Sequence, residues 1–347
     1  MSEAKPQYIN AGAFKEFLSA LDNKAKVIIA MHDTPDPDAM GSAVGMQYLL
    51  KALGHTATIV YSGDISHPQN KTLVNILNLT FQRRKASETF EKDVICVDGV
   101  ERNTSGCQPS FVIDHHKNIT TAPHQIIDPT YGACSTLVYR LIREMLEDNW
   151  YQKEAIMVYT ALLLGIRTDT NDLTSENMSI DDFTAYQELL AVADKEALQK
   201  VMNYPLPRYL YDHRLSLHRE GNSYESNGTF VGGVGFISTA QRDSIAVLAE
   251  EYARMETVNT SVIFAIVDKS HLQVSVRSSN VSLDVGAMCT DLFGEYGGGT
   301  SYKGGASIPL MFYKNIENGE KEQLWAVTVA HMFRRVLQEA YTDSLAE

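Results

Sequence analysis

An α/β fold in two parts is predicted, a parallel-sheet domain with flanking helices followed by a smaller α/β domain built on a mixed sheet. Three observations predict it. From Lys26 onward short apolar runs alternate with amphipathic stretches, the pattern of strands and helices that build a parallel sheet with helices on both faces. After the polar segment that carries Tyr204-Pro205-Leu206-Pro207 the period changes. Acidic and imidazole residues recur where the apolar runs of the first part end, which is where ligands collect at the carboxyl edge of such sheets.

In order, the spacing predicts a helix over Ala13–Leu21, a strand over Val27–Met31, a helix over Ala39–Leu53 and a strand over Ala57–Tyr61. Strands follow at Asp93–Val97 and Ser110–Ile113, then helices at Cys134–Leu146, Lys153–Leu164 and Asp181–Val192. The second part offers strands at Gly228–Ser238, Ser261–Asp268 and Leu272–Arg277, with helices at Arg242–Tyr252, Val285–Phe293 and Lys321–Ala340. The expected organisation is a first domain over 1–195, a helical linker over 196–225 and a smaller second domain over 226–347. A length of 347 residues fits two domains at roughly 150 residues each.

Composition narrows the function. Hydrophobic content of 44% with 21% charged residues is ordinary for a globular protein. No apolar run is long enough to span a membrane, and Met1-Ser2-Glu3-Ala4-Lys5-Pro6 lacks an apolar signal core, so a cytoplasmic protein with no membrane partner is expected. Cys96, Cys107, Cys134 and Cys289 form no CxxC pair, which argues against a zinc ribbon or a disulfide framework. A net charge of -13 disfavours a surface that grips long duplex nucleic acid by neutralising phosphates, and favours short substrates.

Four clusters carry the chemistry: His32-x-x-x-Asp36-x-Asp38, Asp98 after Val94-Ile95-Cys96-Val97, Asp114-His115-His116 after Phe111-Val112-Ile113, and Asp169 in Gly165-Ile166-Arg167-Thr168-Asp169-Thr170. Together they read as a two-metal phosphoesterase centre. Phosphoryl hydrolysis needs a nucleophile at neutral pH and neutralisation of the transferring group, and two divalent ions about 3.5–4 Å apart supply both by acidifying a bridging water and clamping phosphate oxygens. Carboxylates with some imidazole and no thiolate suit Mn²⁺, with Mg²⁺ as the alternative ion. Pro35 and Pro37 hold the loop extended ahead of Asp36 and Asp38, because a residue before proline avoids the helical region. Taken singly, each cluster has a blander meaning. Asp-Pro-Asp is commonly a turn and helix cap, Asp98-Gly99 a turn, and Asp169 a turn cap.

These residues resemble the DHH phosphoesterase superfamily, whose four motifs are matched by the segment 32–42, by Val97-Asp98, by Asp114-His115-His116 and by Gly165–Thr170. The stretches Val274-Ser275-Val276-Arg277-Ser278-Ser279 and Phe293–Gly299 are similar to the DHHA1 substrate-binding domain. The resemblance implies that His32 and Asp36 bind a first metal, that Asp38, His115 and Asp169 bind a second, and that Asp98 bridges them. It implies that Asp114 orients the histidines and that His116 stands beside the scissile phosphate as a hydrogen-bond donor or proton donor to the leaving oxygen. Arg277, Ser278, the loop Gly297-Gly298-Gly299 and Thr300 would hold the far end of the substrate. The family usually has a histidine where this chain has Thr300, and a hydroxyl cannot carry that charge. Lys303 can supply a point charge nearby.

The function so implied is a metal-dependent phosphohydrolase or phosphodiesterase acting on short oligonucleotides, linear dinucleotides or nucleotide bisphosphates. The branch it resembles is the bifunctional oligoribonuclease and 3′-phosphoadenosine-5′-phosphate phosphatase one. A pyrophosphatase or exopolyphosphatase-like hydrolase is the alternative, and a non-catalytic nucleotide-binding protein a second. A homodimer enters as an expected partner state. Arg83-Arg84-Lys85 reads as a solvated loop, His213 and His218 as surface residues, and Arg102 as a residue able to reach a phosphate or pair with a carboxylate.

Overall fold

The computed structural model describes residues 11–21, 26–85, 87–90, 92–104, 106–310 and 317–343. The start of the chain, read above for a signal core, lies outside the described residues. Two compact units divide between Pro205 and Leu206. The segment 196–225, expected as one linker, is therefore shared by the two units.

In the first unit the order is α1 (Gly12–Ala20), β1 (Lys26–Ala30), α2 (Pro37–Ala52), β2 (Thr56–Tyr61), α3 (Pro68–Ile76), β3 (Gln82–Arg83), β4 (Val94–Val97), β5 (Phe111–Asp114), β6 (His124–Ile127), α4 (Cys134–Leu146), α5 (Ile156–Asp169), α6 (Ile180–Val192) and α7 (Lys195–Met202). The six strands pair in the order β3-β2-β1-β4-β5-β6, all parallel. The chain winds outward from β1 through β2 to β3, then returns to β4 and winds the other way. β1 and β4 are thus neighbours at the point where the winding reverses, and the crevice beyond their carboxyl ends is where a ligand has access.

Alternation along the strands sets the two faces of this sheet. Ile29, Ile95, Val97, Phe111 and Ile113 point into a core shared with Phe14 and Phe17 of α1, Met40 and Met46 of α2, Leu137 and Leu141 of α4, and Leu162 and Leu164 of α5. Ala30, Val60, Val94, Cys96 and Val112 point the other way and are covered by Val100, Cys107 and Ala122. That second cluster contains no helix residue among the described residues, so the expected helical layer there is replaced by the connections after β4 and β5. Cys96 is the small buried hydrophobe its strand position suggested, with its thiol beside Thr104 Oγ1 at 3.3 Å and pushed up by burial to about 12.

The second unit runs α8 (Arg208–Leu217), β7 (Ser223–Ser226), β8 (Thr229–Ile237), α9 (Ser244–Tyr252), β9 (Thr260–Val267), β10 (His271–Ser278), α10 (Val285–Phe293), β11 (Gly297–Gly299), β12 (Lys303–Pro309) and α11 (Asn318–Asp343). Its mixed sheet has the order β11-β12-β10-β9-β8-β7, with only the β8–β9 pair parallel. α9 and α8 cover one face through Leu248, Tyr252 and Leu217, and α10 and α11 cover the other through Val285, Leu292 and Met332.

Two expectations about polar residues are corrected. His213 is buried, with Nδ1 2.8 Å from Ser244 Oγ, and burial lowers its pKa. Arg84 is buried too, its guanidinium donating to the carbonyls of Lys85 and Glu88, so the basic triplet is not a solvated run. Among the described residues no helix is long and apolar enough to cross a membrane.

Candidate metal centre

Three of the four clusters sit at the carboxyl edge of the first unit's sheet, and the fourth is brought there by a helix. His32 follows β1, Asp98 follows β4, and Asp114 ends β5 with His115 next. Asp98 has φ +53°, a left-handed conformation that aspartate tolerates better than most residues, while its N–H still donates to Ile113 O at 3.0 Å. The chain thus turns sharply at the last ladder bond, and the Asp98 side chain stays almost wholly buried.

Asp36 is extended, φ −98° and ψ −177°, as expected ahead of Pro37, and its Oδ1 caps α2 by accepting from the N–H groups of Asp38 and Ala39 at 3.0 Å each. The capping oxygen also lies 3.8 Å from His32 Nε2. The blander reading of Asp-Pro-Asp and the functional one therefore describe the same residue. Asp38 lies in the first turn of α2, fully buried, and accepts from Cys134 N at 2.7 Å and Ser135 N at 2.8 Å, the first N–H groups of α4. A helix N-terminus supplies positive partial charge to that carboxylate.

Asp169 is not in a turn. α5 continues through Gly165 to end at Asp169, past the predicted end at Leu164. Helices α2 and α5 pack so closely here that a Cβ on Gly165 would stand 2.2 Å from Ser135 Oγ and 2.8 Å from Asp38 Oδ1, and one on Gly41 would stand 2.6 Å from Ala161 O. Gly165, just past the predicted end, is the residue that lets the helix pass Asp38 and deliver Asp169.

The donor atoms converge. His32, Asp36 and Asp98 each offer one atom within 4.8 Å of the others, and so do Asp38, His115 and Asp169. Asp98 turns Oδ2 to His32 Nε2 at 3.8 Å and Oδ1 to His115 Nε2 at 3.5 Å. His115 Nε2 is also 3.3 Å from Asp169 Oδ2 and 3.8 Å from Asp38 Oδ2. A third group of candidate donors joins Asp98, His115 and His116. Among the described residues, His115 Nε2 and Asp98 Oδ1 are buried polar atoms that make no hydrogen bond, and a buried group in that state calls for an ion or another partner.

Electrostatics say the same. Burial raises the Asp38 pKa, and Asp98 and Asp169 raise it further. Asp169 is raised by burial and then by Asp36. Burial acts to lower the His32 pKa, yet Asp36 and Asp98 hold it up at about 9, and His115 is likewise carried well up by Asp169 and Asp98 against its burial. So many carboxylates cannot stay ionised together without cations. The residues present fit a divalent pair: hard oxygen donors, two imidazoles, no thiolate, and unpartnered atoms aimed at one another.

Asp114 stands behind this set. Its Oδ1 takes a bond from His116 N at 3.1 Å and lies 2.8 Å from His116 Nδ1, while Oδ2 accepts from Asn118 Nδ2 at 2.7 Å. Burial works to raise the Asp114 pKa, but the His116 and Asn118 bonds lower it overall, and the Asp114 bond raises that of half-exposed His116. Arg102 donates to Asn118 Oδ1, so of its two readings the polar pairing is the one observed, with an amide in place of a carboxylate.

Sequence reasoning missed Asn118, the Tyr131 carbonyl that lies 3.2 Å from His115 Nδ1, and Asp182. Asp182 was legible only as the second half of a Ser-x-x-Asp capping box at Ser179.

In the second unit Arg277 and Ser278 end β10, and the three glycines expected as a loop form the short edge strand β11, paired Gly297↔Ala306, Gly298↔Gly305 and Gly299↔Gly304. A Cβ on Gly297 would stand 2.0 Å from Cys289 O of α10, whereas one on Gly298 would meet nothing within 4 Å. Packing against α10 therefore accounts for Gly297 and leaves Gly298 open. Arg277 is half-buried, donates to Val276 O at 2.9 Å and Ser275 Oγ at 3.1 Å, and burial draws its pKa down. Thr300 opens the turn into β12, its N–H donating to Lys303 O at 2.7 Å.

The chain is similar to several known proteins. Over 94% of its length the chain is 27% identical to an uncharacterized protein of Methanocaldococcus jannaschii, covering 64% of that protein. Over 52% of its length it is 30% identical to a bifunctional oligoribonuclease and PAP phosphatase of Thermus thermophilus, covering 54% of that protein. Over 50% it is 30% identical to a probable manganese-dependent inorganic pyrophosphatase of Bacillus cereus, covering 57% of it. The chain thus spans less than two thirds of the length of these curated relatives. The crystal structure of an exopolyphosphatase-related protein from Bacteroides fragilis shares the fold, with a TM-score of 0.62 at 17% identity, covering 94% of this chain and 97% of that one. Residues 26–166 match the model of the DHH family, N-terminal domain.

Proposed function

We propose that the protein is a metal-dependent phosphohydrolase acting on short oligonucleotides, linear dinucleotides or nucleotide bisphosphates. The observation that carries the reading is Asp98, whose two carboxylate oxygens face two separate imidazoles, each in its own group of donors. In this reading His32 and Asp36 would hold one divalent ion, Asp38, His115 and Asp169 would hold the other, and Asp98 would serve both. Mn²⁺ is the preferred ion and Mg²⁺ the second. Bound there, such a pair supplies an activated water at neutral pH and neutralises phosphoryl oxygens.

The chain's own residues do the rest. Asp114 fixes the His116 ring through Nδ1 and favours its protonated form, leaving Nε2 as the nitrogen for the leaving oxygen of the substrate. The N–H groups at the start of α4 hold the Asp38 carboxylate in place. Arg277, Ser278, Gly297, Gly298, Gly299 and Thr300 form the substrate-binding part of the second unit, where open space at Gly298 gives an anion close access to backbone.

Names among the relatives favour nucleotide substrates on one side and inorganic pyrophosphate on the other. One panel separates them. Purified protein with Mn²⁺ is given 3′-phosphoadenosine-5′-phosphate, linear dinucleotides, 5′-labelled short RNA and DNA, pyrophosphate and polyphosphate. Release from the nucleotide substrates with little from pyrophosphate is the expected outcome. The reverse order would move the protein to the pyrophosphatase class, and no release from any of them with Mn²⁺ demonstrably bound would leave a nucleotide-binding protein. Thr300→His is expected to lower KM for a nucleotide bisphosphate by about threefold or more, since a charge-assisted bond to phosphate outweighs a neutral one. Unchanged KM for every substrate would remove position 300 from the binding surface.

A further inference from the structure

The proposed ligands do not hang from the strands alone. The segment between β6 and α4 touches both imidazole and carboxylate members of the cluster. The carbonyl of Tyr131 faces His115 Nδ1 at 3.2 Å, which leaves Nε2 as the nitrogen aimed at Asp38, Asp98 and Asp169. Three and four residues on, the N–H groups of Cys134 and Ser135 hold the two oxygens of Asp38. Between them lies Gly132, where a Cβ would stand 2.9 Å from Thr170 Cγ2 and 2.9 Å from Asp182 Oδ2. Thr170 is the neighbour of Asp169. One short stretch of backbone is thereby in register with three of the proposed ligands.

That stretch is fastened from outside the cluster by one carboxylate. Asp182, on α6 and fully buried, accepts from Gly132 N at 2.8 Å through Oδ2 and from Thr136 Oγ1 at 2.5 Å through Oδ1. Oδ2 also takes bonds from Ser179 N at 2.8 Å and Ser179 Oγ at 2.6 Å. A carboxylate with four donors at these distances has a fixed orientation, and an amide in its place would present an NH₂ group to at least one N–H or O–H donor. The helix contact that carries Asp182 does not depend on it. Arg140 of α4 pairs with Asp181 at 2.5 Å, and Tyr139 and Arg143 both reach Glu188 at 2.7 Å.

We propose that Asp182 is a positioning residue for the metal centre, acting through Gly132 and Thr136 to hold the Tyr131 carbonyl against His115 and the start of α4 against Asp38. This inference rests on reading the cluster as a metal site. Second-row partners of this kind orient the ligating ring, and their loss typically costs about 10–100-fold in metal affinity or activity.

The test compares full-length wild-type and Asp182→Asn proteins. Mn²⁺ affinity is measured by calorimetric titration, and the ¹⁵N shifts of the His115 ring are measured in the metal-free protein, where they report the Nδ1 contact independently of turnover. The expected result is a Kd for Mn²⁺ weakened about tenfold or more, altered His115 ring shifts, and a kcat recovered by excess Mn²⁺ with KM for substrate unchanged. Asp194→Ala is the control: it removes the cap of α7, where Asp194 Oδ1 accepts from the N–H groups of Glu196 and Ala197, and lowers Tm, with Mn²⁺ affinity retained. A folded Asp182→Asn protein with wild-type Mn²⁺ affinity and unchanged ring shifts overturns the proposal, and so does a loss of affinity that merely tracks Tm across both variants. If Asp182→Asn does not fold, Gly132→Ala replaces it, since its Cβ displaces the same segment; wild-type Mn²⁺ affinity there is the overturning result. Wild-type protein that binds no Mn²⁺ sinks the metal reading instead, and the ring shifts still decide whether Asp182 governs His115.

Discussion

Asp98→Asn is expected to lower kcat by more than about a hundredfold, beyond the range of substitutions that act only through a neighbouring ligand, while the metal-free protein stays folded and as stable as wild type or more so. The side chain is almost wholly buried, and among the described residues its Oδ1 makes no hydrogen bond, so the substitution breaks none of theirs at that oxygen. Removing its charge relieves Asp38 and Asp169, whose pKa values it helps to raise. Asparagine is the right replacement because position 98 has φ +53°, which asparagine tolerates. Alanine would add roughly 1–2 kcal/mol of backbone strain to the loss of the ligand and blur the result. Thermal unfolding with and without Mn²⁺ provides the check. A ligand at a hundred times its Kd stabilises by about 2.7 kcal/mol, and Asp98→Asn should lose most of that gain. Near-wild-type turnover, or an undiminished stabilisation by Mn²⁺, would refute the two-sided role of this carboxylate.

The legibility of this centre in the sequence followed chain connectivity. His32, Asp98, Asp114 and His115 were readable because each is covalently tied to the end of an apolar strand, and parallel strands bring such ends to one edge. Asp169 was readable as a residue but not as a helix terminus, because Gly165 looks like a helix breaker until its packing against Asp38 and Ser135 is seen. β12 was missed for a related reason. Its Gly304-Gly305 pair has poor strand propensity, and the close approach of Cys289 Sγ, 2.8 Å from where a Gly304 Cβ would lie, gives Gly304 its place. The unhelical cover over Cys96 and Val112 was invisible because alternation specifies that a face is buried, not what buries it. Asp182 lies furthest from any sequence signal. Its capping box is local, but the bond to Gly132 N spans 50 residues and is decided by the docking of α6 on α4.

Gly165→Ala should damage stability and metal binding together, and the balance of effects can be worked out in advance. In a free helix the change would favour folding by about 0.8–1 kcal/mol. Here the new methyl would stand 2.2 Å from Ser135 Oγ and 2.8 Å from Asp38 Oδ1, distances that real Cβ atoms essentially never show, and 3.0 Å from Asp38 Cα, tighter than nine in ten real Cβ contacts. The Ser135 hydroxyl can rotate away, but Asp38 is held by two backbone N–H groups at the start of α4 and by its own place in α2. Overpacking of a filled core costs typically about 1–3 kcal/mol, so the net effect is a loss of up to about 2 kcal/mol with the strain taken up at the α2–α5 contact. Because the immovable partner is itself a proposed ligand, Mn²⁺ affinity should fall by more than the stability loss alone explains. The double variant Gly165→Ala with Ser135→Gly separates the two terms. Deleting the hydroxymethyl group removes the shortest clash and should restore part of Tm, whereas the conflict with Asp38 persists and Mn²⁺ affinity should stay low. Recovery of both together in the double variant would place the strain on Ser135 alone and detach the helix contact from the metal centre.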